Sequence, residues 1–386
     1  MTIKHYLTSA TAGLALSLSA LTAMAADTIK IGVIAPLTGA GAPWGIAAAE
    51  APKILAADIN AKGGLAVGGK TYKVEVVAYD DQYKAAEAVA AYNRLVNQDG
   101  VKYMIILSSA ATMALKQNVE DDEVVAVTAA YTAKAIEPTT KYMFRMYSTP
   151  ADYVPSFIAW MKDNVKEKRV VVVNPNDETG WDQTQLSEKL FKENGFEVLG
   201  HELFERAQKD FQPLLTKIIA MKPDIIELGG TSPATAGLII RQARELGYDK
   251  LFSKTGGAGP AEIVAGAGAK AAEGVINMLY ADPANEGYRR IAAAYKASVG
   301  QDPNEILVSF YDGANVLLKA IQKSGDPSDT GKVAAAFASV LPTPSVQGDQ
   351  LSLGGKAISG VDNQIMTVNY IGVIRDGQPV VIGKTK

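Results

Sequence analysis

Apolar strands alternate with amphipathic helices along most of this chain. An apolar run from Ile29 to Leu37 precedes a helical stretch that ends at Gly63-Gly64, and residues 72–79 alternate as a half-buried strand does. Further strands are predicted at residues 103–107 and 124–128, and helices at 84–97 and 112–119. Strands that alternate with helices of this length predict a parallel sheet with helices on both faces.

A second series of the same kind begins after residues 142–146. Its predicted strands include 168–173 and 224–228, and its predicted helices run through Trp160, to Asn194, over 211–221 and over 233–246. Helices at 288–299 and 307–323, a Gly/Pro-rich stretch at 342–360 and a final strand pair turning at Asp376-Gly377 follow. The restart predicts a second doubly wound α/β lobe.

The first 25 residues have the plan of a secretory signal peptide. Lys4 and His5 precede an apolar stretch at about 6–21, and Ala23-Met24-Ala25 provides small residues for cleavage. An uncleaved N-terminal anchor is the alternative. No other stretch approaches the roughly 20 apolar residues that a membrane span needs. We therefore expect an exported chain that starts near Ala26.

Composition narrows the classes of function further. The chain has 386 residues, no cysteine and a net charge of −3. Zero cysteine excludes disulfides, thiolate chemistry and a lipid-modified cysteine after the leader. A nearly neutral chain predicts no nucleic-acid partner. We expect a free periplasmic protein, acting as a monomer.

Two glycine motifs have the letters of nucleotide sites without their context. Gly64-x4-Gly69-Lys70-Thr71 matches a phosphate loop, but such a loop needs a strand before it and a helix after it. A helix cap and a turn are expected instead. Gly39-x-Gly41-x3-Gly45 misses the dinucleotide spacing, which favours a tight loop facing a smaller ligand. Trp44 in that loop is either a surface aromatic or a stacking wall for the ligand.

Catalytic and metal-binding candidates are few. His201 is the one histidine after the leader, and a lone histidine without a partner is interpreted as structural. Asp80-Asp81 could form paired carboxylates, but acidic residues that close a strand usually cap the next helix. No spacing suggests a metal site, and no Gly-x-Ser-x-Gly elbow occurs. We predict no enzyme, no cofactor and no metal.

Loops rich in hydrogen-bond donors follow two neighbouring strands. Residues 108–112 (Ser-Ser-Ala-Ala-Thr) end one strand and start a helix, where free NH groups favour an anion such as a carboxylate. Serine and threonine are also ordinary helix caps, so this loop alone is ambiguous. Residues 128–132 repeat the chemistry at the next strand end. Two such loops at carboxyl ends of strands favour a binding site.

At these loops the chain resembles the periplasmic leucine/isoleucine/valine-binding family, type I solute receptors for ABC importers. The resemblance covers nearly all of the chain after the leader. It is carried by residues 58–64, Tyr79-Asp80-Asp81, the 108–112 loop, Phe144-Arg145, residues 241–247 and Asp282-Pro283-Ala284-Asn285.

The resemblance implies two Rossmann-like lobes with parallel sheets, joined by a three-strand hinge, with the ligand between them. The N-terminal lobe would take residues 26–146 and about 281–355, and the C-terminal lobe about 147–280 and 356–386. It also implies an ABC permease in the inner membrane as the partner, and a small carboxylate or amino acid as the ligand.

By position, the resemblance assigns Ser109 to the ligand carboxylate and Ala130 to a backbone donor for it. Tyr131 stands where the amino-acid binders have threonine, and Thr179 where they have tyrosine before a glycine. Trp44 matches an aromatic of the first loop. The full set of expected ligand-binding residues is Trp44, Ser108, Ser109, Ala130, Tyr131, Thr132, Thr179, Trp181 and Thr231.

One departure from that family concerns the ligand's charge. The amino-acid binders place a glutamate after the strand that here ends at Gly229-Gly230, and residues 231–237 contain no acid. A buried ammonium without a counter-charge is costly, so a carboxylate with an apolar or aromatic body is expected. Asp177 or Glu178 is the alternative source of that acid, in which case an α-amino acid would bind.

These observations predict a periplasmic binding component of an ABC importer that closes around a small carboxylate. The alternative from another class is a ligand-sensing subunit of a signalling or regulatory system on the same fold. An enzyme is a third possibility, weakened by the single histidine of the mature chain.

Overall fold

The computed structural model describes residues 27–385. The predicted leader, with its cleavage site after Ala25, lies outside the described residues. Over the range that is described, no helix has both the length and the apolar character to cross a membrane.

The strands and helices alternate as the sequence predicts. The strands are β1 (Thr28–Ala35), β2 (Leu65–Val67), β3 (Lys70–Asp80), β4 (Tyr103–Ile106), β5 (Val125–Thr128), β6 (Met143–Arg145), β7 (Arg169–Pro175), β8 (Glu197–Phe204), β9 (Ile225–Glu227), β10 (Leu251–Lys254), β11 (Ile276–Leu279), β12 (Thr343–Pro344), β13 (Gln350–Gly354), β14 (Gln364–Met366), β15 (Tyr370–Arg375) and β16 (Gln378–Lys384). The helices are α1 (Ala42–Ala61), α2 (Ala85–Asn97), α3 (Ser109–Asp121), α4 (Pro150–Asn164), α5 (Glu178–Glu193), α6 (Gln212–Ala220), α7 (Pro233–Glu245), α8 (Pro260–Ala267), α9 (Ala269–Ala272), α10 (Glu286–Val299), α11 (Leu307–Ser324), α12 (Thr330–Phe337) and α13 (Lys356–Ser359).

Within residues 27–385 the strands form two sheets. The nine-stranded sheet has the order β12-β13-β14-β6-β5-β4-β1-β3-β2, and the seven-stranded sheet has the order β16-β15-β11-β10-β9-β7-β8. The central pairs are parallel, and antiparallel pairs occur towards the edges. The predicted α/β fold with two mostly parallel sheets is confirmed. The nine-stranded sheet with its helices is the N-terminal lobe, and the other is the C-terminal lobe.

The chain passes between the two sheets three times within the described range, after β6, after β11 and after β14. The last crossing is later than expected. Gln364 of β14 pairs in parallel with Arg145 of β6, so the N-terminal lobe's sheet extends past the predicted boundary near residue 355. The Gly/Pro-rich sequence before β14 concealed this short strand. The chain then returns to the C-terminal lobe at β15.

Buried apolar residues on the sheets explain why both lobes are stable. Ile31 and Ile105 are fully buried in the N-terminal lobe, as are Val171 and Ile226 in the C-terminal lobe. Parallel strands covered by helices on both faces need such near-continuous apolar runs.

Each lobe also requires a glycine where the helix that follows its first strand packs on the end of that strand. A Cβ on Gly45 would lie 1.9 Å from the carbonyl oxygen of Pro36, and one on Gly180 would lie 1.8 Å from that of Pro175. The spacing of glycines in the 39–45 loop therefore serves close packing of α1 on the end of β1. The same packing brings Trp44 and Thr179, which flank these glycines, to the strand ends.

Two sequence ambiguities are settled by the fold. Pro52 lies within the first predicted helix, where a proline is expected either to kink the helix or to mark a late start. Helix α1 begins at Ala42 and continues through Pro52, so the proline does not mark a late start. The 64–71 segment is a helix end followed by the β2–β3 hairpin, which turns at Gly68-Gly69. The interpretation as a cap and a turn is confirmed.

Candidate functional site

A small cavity lies where the strand ends of the N-terminal lobe face helix α5 of the C-terminal lobe. We call it the ligand cavity. Ligands of open α/β sheets bind at these carboxyl ends of strands. The residues that line it are Trp44, Tyr83, Leu107, Ser108, Ser109, Ala129, Tyr131, Tyr147, Thr179 and Ile306.

The loop between β4 and α3 supplies the hydroxyls. Ser108 is the N-cap of α3, and its Oγ accepts a hydrogen bond from the Ala111 NH at 3.0 Å. Ser109 is the first helical residue, and its Oγ accepts from the NH groups of Tyr131 at 3.0 Å and Thr132 at 3.3 Å. Since both contacts use Ser109 as an acceptor, its hydroxyl hydrogen is available to an anion. The NH groups of this first turn have no acceptor within the helix.

The loop after β5 differs from the expectation at Ala130. The Ala130 NH donates to Thr128 Oγ1 at 3.0 Å, so this group is already engaged within the loop. Thr132 is buried and does not line the ligand cavity, and it supports the site by its bond to Ser109.

The side chain of Arg145 stabilises this loop. Its guanidinium donates to the carbonyl oxygens of Ala130 and, at 3.0 Å, of Thr132. The side chain is almost completely buried, and burial lowers the pKa of Arg145 to about 10. The charge is satisfied by main-chain carbonyls, which stiffens the residues that position Ser109.

Aromatic side chains form most of the remaining wall. Trp44 is buried, and its Nε1 donates to the Ala258 carbonyl of the C-terminal lobe at 3.3 Å. Tyr83 lies at φ +62°, a strained turn after β3, and the Arg206 guanidinium stacks 4.1 Å from its ring centroid. Trp44 is therefore a wall of the cavity and also a contact between the lobes.

From the C-terminal lobe, Thr179 faces the cavity from the first turn of α5. Asp177 is the N-cap of this helix, and its Oδ1 accepts from the Gly180 NH at 3.1 Å. The same carboxylate is paired with Arg206. Asp177 is thus committed to a cap and an ion pair, and neither it nor Glu178 lines the cavity.

Two expected ligand residues point elsewhere. Trp181 is 50% exposed and donates to Asn176 Oδ1 at 2.9 Å, because it lies two positions after Thr179 and so on another side of α5. Thr231 is fully buried and donates to the Val173 carbonyl at 3.1 Å. The Thr231 hydroxyl holds adjacent strand ends together and does not line the ligand cavity.

None of the residues that line the ligand cavity in the described part of the chain is charged. The Lys254 amine lies just behind the wall, where its Nζ is 5.8 Å from the Trp44 ring centroid and donates to the carbonyls of Gly256 and Gly257. Burial lowers the pKa of Lys254 to about 7, and the nearby carboxyl groups of Glu227, Glu262 and Glu305 oppose this shift.

The remaining chemical candidates have structural roles. His201 pairs with Glu188 at 2.7 Å on the surface of the C-terminal lobe. Asp80 accepts from Leu37 NH, Thr38 Oγ1 and Gln82 NH, and these bonds outweigh burial and lower the pKa of Asp80. Among residues 27–385, no group of His, Asp or Glu is arranged to hold a metal ion.

Sequence reasoning missed several residues of the site. Tyr83, Leu107, Ala129, Tyr147 and Ile306 line the cavity without a local signal, because each looks like an ordinary core or turn residue. Arg145 and Lys254 each place a basic side chain at the end of a buried strand. Sequence reasoning did not interpret these two residues as part of the site.

Comparison with known proteins agrees with this architecture. The profile of a family described as "Periplasmic binding protein" matches residues 28–378. The leucine-, isoleucine-, valine-, threonine-, and alanine-binding protein of Pseudomonas aeruginosa is 32% identical over 330 residues, which are 83% of this chain and 85% of that protein. The predicted resemblance is confirmed, and so is the prediction of a binding protein that is not an enzyme.

Solved structures share the fold at lower identity. A branched-chain amino acid transporter substrate-binding protein from Streptococcus pneumoniae, in complex with isoleucine, has a TM-score of 0.77 and 24% identity, covering 92% of this chain and 100% of that one. An ABC transporter solute-binding protein from R. palustris, in complex with benzoate, has a TM-score of 0.78 and 20% identity, covering 92% and 96%. The same fold thus accommodates an amino acid and an aromatic acid.

Proposed function

The chain belongs to the periplasmic binding protein family, and we propose that it is the solute-binding component of an ABC importer that closes around a small carboxylate. The observation that carries the proposal is the uncharged ligand cavity, in which a serine hydroxyl and the first turn of α3 form the polar end. A helix N-terminus favours an anion through its free NH groups and its dipole.

The carboxylate would lie against Ser109. The Ser109 hydroxyl would donate one hydrogen bond, and the NH groups of Ser109 and Ala110 at the start of α3 have no acceptor within the helix. Trp44, Tyr83 and Tyr131 enclose the body of the ligand, and Thr179 approaches from the C-terminal lobe. Aromatic walls favour a flat or apolar body, since a stacked aromatic pair adds about 0.5–1.5 kcal/mol beyond its buried area.

The ligand class is proposed to be an acid without an α-ammonium. The acid that an ammonium needs is absent from the lining residues, and Asp177 is occupied by Arg206 and a helix cap. The relatives whose names include amino acids support a carboxylate, and the fold neighbour in complex with benzoate supports an acid of this kind.

Export and delivery complete the proposal. The leader ending at Ala25 directs the chain to the periplasm, where a hinge motion of the two lobes encloses the solute. The closed monomer then presents it to a permease in the inner membrane.

A thermal-shift screen of amino acids against aromatic and aliphatic acids tests the proposal. A ligand at 100 times its dissociation constant should add roughly 2.7 kcal/mol to the stability of the protein. Titrations of leucine and of its deaminated α-keto analogue then separate the ligand classes. We expect the keto acid to bind more tightly, and a tenfold preference for leucine would restore the α-amino-acid interpretation.

A further inference from the structure

Gln183 lies one turn after Thr179 on α5 and is 2% exposed. Its Nε2 donates to Ser187 Oγ at 3.0 Å and to Thr255 Oγ1 at 3.1 Å. Its Oε1 is buried and has no hydrogen-bond partner among residues 27–385. A buried acceptor without a partner is costly, so this oxygen marks a place where a donor is missing.

The orientation of the Gln183 amide follows from its neighbours. Thr255 donates both its NH, at 2.9 Å, and its hydroxyl, at 2.6 Å, to Oε1 of the fully buried Glu227. Because the Thr255 hydroxyl hydrogen is used there, Thr255 Oγ1 can only accept from Gln183. The Nε2 must therefore face Thr255, and Oε1 must face away from it.

The free oxygen lies beside Gly256. A Cβ on Gly256 would lie 2.9 Å from the Gly229 carbonyl oxygen, 3.3 Å from Gln183 Oε1 and 3.5 Å from Cε2 of Tyr131. Tyr131 lines the ligand cavity and also, with Gln183, a wider opening between the lobes. Gln183 does not itself line the ligand cavity, and Tyr131 is the residue that the cavity and this opening share.

Tyr131 extends from one polar group towards the other. Its main-chain NH contacts Ser109 Oγ at 3.0 Å, and its ring lies beside Gly256, which also adjoins Gln183. A donor that reaches Gln183 would therefore belong to the part of the ligand that extends along the Tyr131 ring, away from a carboxylate at Ser109.

We propose that Gln183 Oε1 accepts a hydrogen bond from an O–H or N–H group at the end of the ligand remote from its carboxylate. This inference rests on the proposed function, since it takes Ser109 as the carboxylate end. The ligand class that satisfies both ends is an aromatic acid with a hydroxyl or amino group on the far side of the ring. Gln183 would then select between substituted and unsubstituted acids.

The test compares acids of equal size that differ in one donor. Calorimetric titration of the unmodified protein with 4-hydroxybenzoate and 4-methylbenzoate, and with the corresponding 3-substituted pair, measures the preference directly. We expect the better hydroxy acid to bind about three- to tenfold more tightly than its methyl partner, the range for one neutral hydrogen bond.

Two variants assign that preference to Gln183. Gln183→Met keeps the length of the side chain and removes the acceptor, so the two acids of a pair should bind with affinities within about twofold of each other. Gln185→Leu changes an exposed glutamine on the same helix and should retain the full preference.

The outcomes separate this inference from the proposed function. Equal binding of hydroxy and methyl acids by the unmodified protein overturns the role of Gln183 and leaves a carboxylate-binding protein. A preference that survives Gln183→Met also overturns it. Binding of none of the four acids contradicts the inference, and the proposed function fails only if the wider carboxylate screen is negative too.

Discussion

On the N-terminal side of the ligand cavity the polar groups belong to a helix start and to main-chain NH groups, whereas on the C-terminal side they belong to side chains along α5. Ser109 is held by two peptide NH groups from the next loop. Thr179 and Gln183 are placed by helix spacing and by a buried network that includes Glu227. We expect the backbone-built wall to provide a general anion site and the side-chain wall to provide selectivity.

The two sides of the ligand cavity also differ in the partners of their buried charged side chains. Arg145, under the N-terminal wall, donates hydrogen bonds to carbonyl oxygens of the loop that it supports. In the C-terminal lobe, Asp177 is paired with Arg206, and Glu227 is bound by Ser253 and Thr255. Charges near the site thus hold the walls in place, which leaves the cavity surface uncharged.

The largest expected effect comes from removing the charge under the N-terminal wall. Arg145→Met leaves the carbonyls of Ala130 and Thr132 without their donor, and hydrogen bonds to charged groups contribute about 1.5–3 kcal/mol each. We expect the free energy of unfolding in urea to fall by about 3 kcal/mol. Arg289→Met, at an exposed arginine on α10, is the matched control and should change it by less than about 0.5 kcal/mol. Equal stability of the two variants would contradict this role of Arg145.

Deleting one hydroxyl from each wall of the ligand cavity compares what the two walls contribute to binding affinity. Ser109→Ala should weaken binding of the best carboxylate by about 1.5–3 kcal/mol, because that bond is made to a charged group. Thr179→Val should cost about 0.5–1.5 kcal/mol, the range for a neutral partner. Isothermal titration of both variants gives the order. A larger loss for Thr179 would place the carboxylate on the C-terminal side.

The contact between the lobes should depend on pH. Glu262 of α8 and Glu305, just before α11, each have a buried carboxylate oxygen without a hydrogen-bond partner in the described structure. Burial, and then the nearby charge of Glu262, raise the pKa of Glu305, while Lys254 opposes the shift. We expect opening of the lobes to expose Glu305 and so to lower its pKa, in which case the closed form holds a proton that the open form releases.

Closure should therefore weaken as the pH rises from the ordinary range of a glutamate carboxyl towards the raised value. We expect carboxylate affinity to fall by about 1 kcal/mol between about pH 6 and about pH 9, and Glu305→Gln to remove most of this dependence. Titrations in buffers of different ionisation enthalpy would also detect proton uptake on binding. An unchanged profile in the variant would exclude Glu305 as the titrating group.

The smallest effect is expected at the exposed tryptophan of α5. Trp181→Ala should leave ligand affinity within about twofold of the unmodified protein, because half of this side chain faces solvent. Trp44 lines the cavity from the N-terminal lobe. Trp44→Phe removes its hydrogen bond to the Ala258 carbonyl and should weaken ligand binding by about 1 kcal/mol. A measurable loss only at Trp181 would mean that the ligand lies outside the cavity.

The N-terminal wall could be predicted because its chemistry is local. A serine at a strand-to-helix junction is both a cap and an anion donor wherever the helix goes, so Ser108 and Ser109 were identifiable from sequence. The bond from the Ala130 NH to the side chain of Thr128, two residues earlier, was not predicted. That bond depends on the conformation of the loop, which the sequence does not specify.

The C-terminal wall required the tertiary structure. Trp181 and Gln183 both lie on α5, and helix spacing alone does not say which face meets the other lobe. The acceptor of Gln183 is set by Thr255, 72 residues away in the chain. No local pattern predicts such a pairing.

The sequence by itself determined two α/β lobes, a donor-rich strand end and the absence of an acid after Gly230, because periodicity, capping and composition act over a few residues. The tertiary structure decided which side chains meet across the cleft, where the chain last leaves the N-terminal lobe, and which charges are already neutralised. These depend on how strands and helices distant in sequence pack, and that packing fixes both the burial and the partner of each polar group.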